Sequence, residues 1–467
     1  MSVGSFGQSE PQRLSLFING RRFIGFGGNW GFGESNLNYR EREYDIAVAY
    51  HADMNFTMIR NWVGQIGDKE FYEACDRHGI MVWQDFWLAN PVDGPNPYYT
   101  EMFNANACDY LKRIRNHPSI GIYVGRNEGN PPAGIDDYLR GLVFREHPGL
   151  YYISNSAMGV VSGGGPYRAL SPKSYFQSYG HDKFHSERGM PNVMNYESML
   201  LTFGTDKIEP VNTSETPNPV YGLHDYTLGG GKGSSAQAAS SFNDMIEKAF
   251  GRPRDAKQFA EWAQWINYDG YRAIFEGRSE HRRGMLLWMS HSAWPSMVWQ
   301  TYDYYFDPNA AYFGCKKASE PLHIQWNPLR DDIEVVNYHA FDRTGLTATA
   351  SLFNQDGTLQ WTRETKLDIK EDQTVACFPL EQPETLSDTY FIKLSLTDSD
   401  GKQLSDNFYW RGKEDGNYKS LLQLPKVSVC KNVTVKKTGK EWLIRAVLKN
   451  EARTPALMLR LKVAGEK

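Results

Sequence analysis

Residues 119–130 read SIGIYVGRNEGN. The run SIGIYV joins β-branched and aromatic residues without a charged interruption. That is how a strand buried on both faces reads, and such strands belong to parallel sheets. Asn127 and Glu128 follow after Gly125 and Arg126. In an α/β barrel the chemistry-bearing groups gather where the C-terminal ends of the strands meet the loops, so a carboxylate at this point has a functional position. Upstream, Asn116-His117-Pro118 stops a helix over 105–115, because proline disfavours helix at the residue before it. The stretch therefore predicts helix, stop, buried strand and catalytic carboxylate in sequence.

The same alternation extends outward in both directions. IMVWQDF at 80–86 is a strand, preceded by a helix over 68–77 that closes at His78-Gly79. Before it lie a strand at 57–63, a helix at 40–53 and a first strand at 23–30. After it, residues 151–154 and 184–187 read as strands, and 204–234, rich in Gly, Pro, Thr and Asn, as a long loop. Residues 236–276 are largely helical, with Trp262, Trp265 and Ile266 near helical spacing, and GMLLWM at 284–289 is a closing strand. Short apolar runs alternating with longer amphipathic ones predict an α/β fold, a (β/α)8 TIM barrel over 15–330.

After about residue 330 the pattern changes. Residues 333–412 alternate with period two and carry turn signals at Gln355-Asp356-Gly357 and Asp400-Gly401, which predicts an immunoglobulin-like β-sandwich over 331–415. Residues 416–467 again read as strands but are too few for a full sandwich, and are expected to begin a further β-domain that is cut short. A length of 467 residues agrees with two or three domains, at about 100–200 residues each.

Composition narrows the function classes. The 51 basic and 55 acidic residues nearly cancel, which leaves no global field for nucleic acid or an anionic membrane. No apolar run approaches the roughly 18 residues of a membrane span, and the N-terminus lacks the regions of a signal peptide. The five cysteines are scattered and read as free thiols; the 11 histidines form no metal-ligand spacing, so neither a metal nor a cofactor is expected. Of 13 tryptophans, ten precede residue 330. Flat aromatic surface in that number suits a protein that stacks sugar rings, although part of the set is expected to be core.

Glycoside hydrolysis ordinarily needs a carboxyl on each side of the scissile bond. Glu128 is the candidate acid. Glu187, in KFHSERGMPN at 183–192, ends a short strand and is the candidate partner. Glu197 competes, but MNYESMLLTF at 194–203 reads as helix, which places it behind the barrel rim. Two glycine-rich stretches, GFGGNWGFG at 25–33 and LGGGKGSS at 228–235, lack the dinucleotide and phosphate-loop patterns and are read as flexible turns.

Taken in order, LFINGRRFIGFGGNW (16–30), MNFTMIRNW (54–62), EFYEACDRHGIMVWQDF (70–86), RIRNHPSIGIYVGRNE (113–128) and the run from 284 to 325 resemble glycoside hydrolase family 2, in its β-mannosidase and exo-β-glucosaminidase branch. The resemblance covers about 15–330 and, more weakly, the sandwich; with the barrel beginning near residue 15, the jelly-roll and sandwich domains that the family places before it are expected to be missing or removed. It implies a retaining exo-β-glycosidase with Glu128 as acid/base and Glu187 as nucleophile. It further implies Asn127 at the sugar 2-hydroxyl, Arg60 beside the nucleophile and Trp288 as the floor of the terminal subsite. Asn29, Trp30, Trp62 and Asp85, at other strand ends, are candidate sugar contacts, while Trp83 is read as core. Exo-β-glucosaminidases often carry Asp where this chain has Glu128, which leaves β-mannoside, β-galactoside or β-glucuronide substrates open. The expected partner is an oligosaccharide or glycoside, with no nucleic acid and no membrane. The alternatives are a carbohydrate-binding or inactive barrel and an inverting hydrolase on the same fold. Retention of both carboxylates favours the enzyme, since binding alone needs neither.

Overall fold

The computed structural model describes residues 2–3, 13–178, 183–213, 215–224, 234–297, 299–439 and 441–463. Eight parallel strands form the first half. They are β1 (Gly25–Trp30), β2 (Met58–Asn61), β3 (Met81–Asp85), β4 (Ile120–Arg126), β5 (Tyr151–Asn155), β6 (Val161–Ser162), β7 (Phe184–Arg188) and β8 (Gly284–Leu287). Ladders run from β5 through β4, β3 and β2 to β1, then on to β8, β7 and β6. The β8–β1 pairing brings the last strand back to the first, as a TIM barrel requires. Among the described residues no ladder joins β5 to β6, which are linked by five residues and no helix.

Helices cover the outside: α1 (Glu41–Asp53), α2 (Lys69–His78), α3 (Thr100–Ile114), α4 (Ala133–Glu146), α5 (Pro172–Gln177), α6 (Tyr196–Phe203), α7 (Pro219–Leu223), α8 (Ser234–Phe250), α9 (Ala256–Glu276) and α10 (Ala310–Ala318). Gly79 closes α2 in the left-handed conformation at φ 70°, as the His78-Gly79 signal predicts. The helical run expected over 236–276 is two helices, interrupted where Gly251 takes φ 97° ahead of Pro253. The loop expected over 204–234 contains the short α7, started by Pro219. Among the described residues no helix is long and apolar enough to cross a membrane.

Strand alternation sorts side chains into two layers. Met58, Met81, Trp83, Ile122, Val124, Phe184 and Leu286 fill the barrel interior, with Leu14 and Leu16 packed beneath them. Ile59, Val82 and Tyr123 point outward, into the layer shared with the helices. The glycine-rich run at 25–30 is strand, not a flexible turn. A Cβ on Gly27 would stand 1.6 Å from the Met58 carbonyl oxygen, and one on Gly28 2.2 Å from Ser290 Oγ. Glycine is there because neighbouring backbone and side chains come too close for anything larger. Of the second glycine-rich run, residues 228–233 lie outside the described residues, and Ser234 and Ser235 begin α8.

The second half is a two-layered sandwich. One sheet is β9 (Leu322–Asn327), β10 (Asp332–Asn337) and β13 (Gln373–Pro379). The other runs in the order β12 (Leu359–Ile369), β11 (Arg343–Asn354), β14 (Thr389–Thr397), β15 (Gln403–Gly412). Residues 322–327, assigned to the barrel by sequence, pair antiparallel with β10 along their whole length, so the sandwich begins before 331. A hairpin of β16 (Val429–Thr438) and β17 (Glu441–Asn450) follows, exposed on both faces. The sandwich is bolted to α9: Arg272 donates to Asn407 and Phe408, Arg411 pairs with Asp269, and Tyr409 donates to Glu276.

Candidate active site

Arg60 ends the inward-facing side of β2 and is completely buried. Its Nη1 donates to Glu187 Oε1 at 2.6 Å and to Asn29 Oδ1 at 3.1 Å. Nη2 donates to Asp85 Oδ2 at 2.7 Å and Asn127 Oδ1 at 2.8 Å, and Nε to Asp85 at 3.1–3.2 Å. A guanidinium has five N–H groups, and here each has an acceptor. Arg60 is therefore a hub that holds other residues, with no donor left to touch a sugar. Asp85 is committed in the same way, taking Trp83 Nε1 at 2.8 Å and the Val63 amide at 3.0 Å besides Arg60.

Glu187 reaches this hub through a bulge. On β7 His185 lies opposite Met285, yet Arg188 lies opposite Leu287, so β7 carries one more residue than β8 between those points. Strict alternation from the inward Phe184 would turn Ser186 inward; the extra residue turns Glu187 to Arg60 instead. The second oxygen, Oε2, accepts a 2.6 Å hydrogen bond from Tyr167. Burial raises the Glu187 carboxyl above its ordinary range; the Arg60 guanidinium opposes that and the nearby Glu128 adds to it. Burial, followed by the Glu187 charge, pushes Tyr167 far upward, so its hydroxyl stays a donor.

Glu128 follows β4 in a turn at φ 46°, an uncommon conformation for a residue with a side chain. Its amide donates to Ser156 Oγ at 3.0 Å, and its Oε2 accepts from Asn90 Nδ2 at 2.9 Å. Unlike Glu187, it is partly exposed. A single loop touches both acids: the Gly165 amide donates to the Glu187 carbonyl at 3.1 Å, and a Cβ on Gly164 would stand 3.3 Å from Glu128 Oε1. The same loop supplies Tyr167. The two acids therefore lie at the C-terminal ends of β4 and β7, near enough that the Glu128 charge acts on the Glu187 carboxyl.

Aromatic rings gather around Tyr167, the donor to Glu187. Trp288 meets Trp62 edge to face at 4.9 Å, and lies 6.4 Å from Tyr167 and from Trp299. Asn127 gives its Oδ1 to Arg60 and Ser156, which leaves Nδ2 as the end of the amide able to meet a ligand.

Three residues fare differently from the sequence expectation. Asn29 is fully buried and spends both amide protons on the Ser186 and Leu287 carbonyls at 2.9 and 2.8 Å, so it braces strands and does not contact sugar. Trp30 points outward into the helix layer, its Nε1 on His51 at 2.9 Å and its ring stacked on His291. Asp85 is a buried support for Arg60 and does not contact sugar, whereas Arg60 stands beside Glu187 as the resemblance implies. Trp83 is interior packing, as read. Glu197 sits on α6, half exposed, paired with Arg460 at 3.0 Å. Sequence reasoning missed Tyr167, Trp299, Ser156 and Asn90, all on loops without a motif; the one signal was GGGPY at 163–167, a turn cluster between short strands.

Comparison with known proteins agrees with this architecture. The family described as "Exo-beta-D-glucosaminidase Ig-fold domain" matches residues 407–467. A mannosylglycoprotein endo-β-mannosidase of Lilium longiflorum is 29% identical over 86% of this chain and 48% of its own length. An exo-β-D-glucosaminidase of Streptomyces avermitilis is 28% identical over 84% of this chain and 46% of its own. The chain thus spans about half the length of these curated relatives. Among solved structures, an Amycolatopsis orientalis exo-chitosanase superposes with TM-score 0.83 at 22% identity, over 97% of this chain and 58% of that one. A β-D-mannosidase from Dictyoglomus thermophilum gives 0.77 at 20%, over 96% and 57%; both likenesses are of fold. In sequence the chain is thus similar to proteins named β-mannosidases and exo-β-D-glucosaminidases, and its C-terminal part matches the Ig-fold domain described for the latter.

Proposed function

We propose that this chain carries the catalytic barrel of a retaining exo-β-glycosidase that removes terminal β-linked sugars, of the β-mannoside class or a related one. The observation that carries the reading is the loop at 163–167, which borders two carboxylates in unlike environments. One, Glu187, is buried against a permanent cation and a hydroxyl donor; the other, Glu128, is partly exposed. Double displacement asks for this division of roles.

In this scheme Glu128 protonates the glycosidic oxygen as Glu187 attacks the anomeric carbon from the opposite face, and the C–O bond to the leaving group breaks. Glu128 then takes a proton from the water that releases the sugar. Arg60 keeps the attacking carboxylate charged and aimed, Tyr167 fixes its second oxygen, and Asn127 Nδ2 meets the sugar 2-hydroxyl. Trp288, with Trp62 beside it, supplies an apolar floor for the ring. The domain division belongs to the same proposal: a barrel from about 15, a sandwich to 415, and a further β-unit from 416.

A panel of 4-nitrophenyl β-glycosides assayed with the full chain tests the sugar, and proton NMR of the first product tests the stereochemistry. The expected product is the β-anomer, released as monosaccharide from the non-reducing end of an oligosaccharide. First formation of the α-anomer contradicts retention, and internal cleavage contradicts the exo assignment.

A further inference from the structure

We propose that Asn90 is the positioning residue for the acid/base carboxyl, selecting the oxygen of Glu128 that carries the transferable proton, and that Arg126 holds the Asn90 loop in place to do so. This rests on the reading of Glu128 as acid/base. The contact is Asn90 Nδ2 to Glu128 Oε2 at 2.9 Å. The orientation of the amide is set by its other end, because Asn90 Oδ1 accepts the Val92 amide at 2.9 Å. A flipped amide would set its NH2 against the Val92 N–H and its oxygen against a carboxylate oxygen, so N–H toward Glu128 is the arrangement that fits.

A carboxyl oxygen that accepts an N–H is a poor place for the acid proton. The proton therefore resides on Oε1, the oxygen that faces Gly164 on the loop shared with Glu187. That oxygen delivers the proton to the leaving group as its bond to the anomeric carbon breaks, and recovers one from water in the second step. Asn90 itself neither gains nor loses a proton.

The loop that carries Asn90 is stitched to the strand end that carries Glu128. Arg126, two residues before the acid and almost fully buried, donates from Nε to the Ala89 carbonyl at 2.7 Å, from Nη1 to Asn96 Oδ1 at 2.7 Å and from Nη2 to the Gly94 carbonyl at 3.5 Å. The Asn127 amide donates to the Leu88 carbonyl at 3.0 Å, and the Asp93 and Gly94 amides close the turn onto the Asn90 carbonyl at 2.8 and 3.1 Å. Glu128 is thus held on both sides, by Ser156 at its backbone and by Asn90 at its carboxyl. Rigid support of this kind is what a proton donor needs if it is to meet a leaving oxygen without searching.

Two substitutions separate this role from a purely structural one: Asn90→Asp keeps an oxygen that caps Val92 but replaces the donor by a carboxylate oxygen, and Asn90→Ala removes the donor without adding a charge beside Glu128. The full chain, Asn90→Asp, Asn90→Ala and Glu128→Ala are compared by kcat/KM on 2,4-dinitrophenyl and phenyl β-glycosides of the sugar the unmodified chain hydrolyses. With folding checked by circular dichroism, both Asn90 variants should lose about 10- to 100-fold on the phenyl glycoside, part of the about 10²- to 10⁴-fold that general acid catalysis supplies. The dinitrophenyl glycoside, whose leaving group needs no proton, should change by less than about threefold. Equal losses on both substrates, or no loss on the phenyl glycoside, overturn the role of Asn90. If Glu128→Ala itself shows no leaving-group dependence, the acid/base reading fails and this inference fails with it.

Discussion

Arg60 touches Glu187, Asp85, Asn127 and Asn29 at once, and its burial is tolerable only because the two carboxylates compensate it. Removing one partner of such a pair costs about 3–5 kcal/mol. Arg60→Lys, which cannot reproduce the planar fork, should therefore lower stability by roughly that order and slow glycosylation by at least about 100-fold; urea denaturation and single-turnover kinetics read the two effects. The pH profile follows from Glu187. Burial raises its carboxyl, and the nucleophile works only when ionised. Activity is present above that raised value and is lost as pH falls through it, so the acid limb of kcat/KM should lie above the ordinary carboxyl range, about 4.3. Weakening the opposing cation by Arg60→Lys should move the limb to higher pH; a limb that stays fixed or moves lower contradicts the assignment. Tyr167→Phe removes a hydrogen bond to a charged group worth about 1.5–3 kcal/mol, and kcat should fall about 10- to 100-fold with folding intact.

Individual elements differ in how far the sequence discloses them. The strand at 120–126 and the acid after it were legible because an uninterrupted apolar run and a following carboxylate are both local signals. The β7 bulge was not, since one extra residue in a five-residue strand leaves no periodic trace, yet it decides which of Ser186 and Glu187 faces Arg60. The two-residue β6 is too short for any pattern. Trp30 and Asn29 were misassigned for a related reason: a strand end locates a residue along the barrel axis, while the pleat and its hydrogen bonds decide the face. In the GFGG run glycine signals both flexibility and close approach, so the sequence alone suggests a turn, and only the distance of 1.6 Å from a Gly27 Cβ to the Met58 oxygen separates the two. Gly27→Ala should accordingly cost at least about 1–3 kcal/mol by forcing β1 from β2, measured as a lowered denaturation midpoint; an unchanged midpoint contradicts the packing argument.

Across the whole molecule, barrel and sandwich share a buried polar junction. His323 on β9 lies between Glu276 at the end of α9 and Glu320, with 3.1 Å to each. Burial alone would lower its pKa, but the two carboxylates outweigh it and the net direction is upward. A histidine raised in the folded state stabilises fully below its unfolded value of about 6.5 and loses that contribution as pH rises through the folded value. Thermal melting should thus show the native chain losing stability above about pH 6.5 relative to His323→Gln; parallel curves contradict a charged junction. This coupling, like the loop that joins Glu128 to Glu187, lies between segments far apart in the chain, beyond what local pattern reports. In the proposed mechanism Glu187, and not Glu197, attacks the sugar. A 2-fluoro glycoside inactivator applied to the full chain, followed by peptide mass spectrometry, tests it most directly: the label is predicted on Glu187, whereas a label on Glu197 or on any other carboxylate contradicts the account.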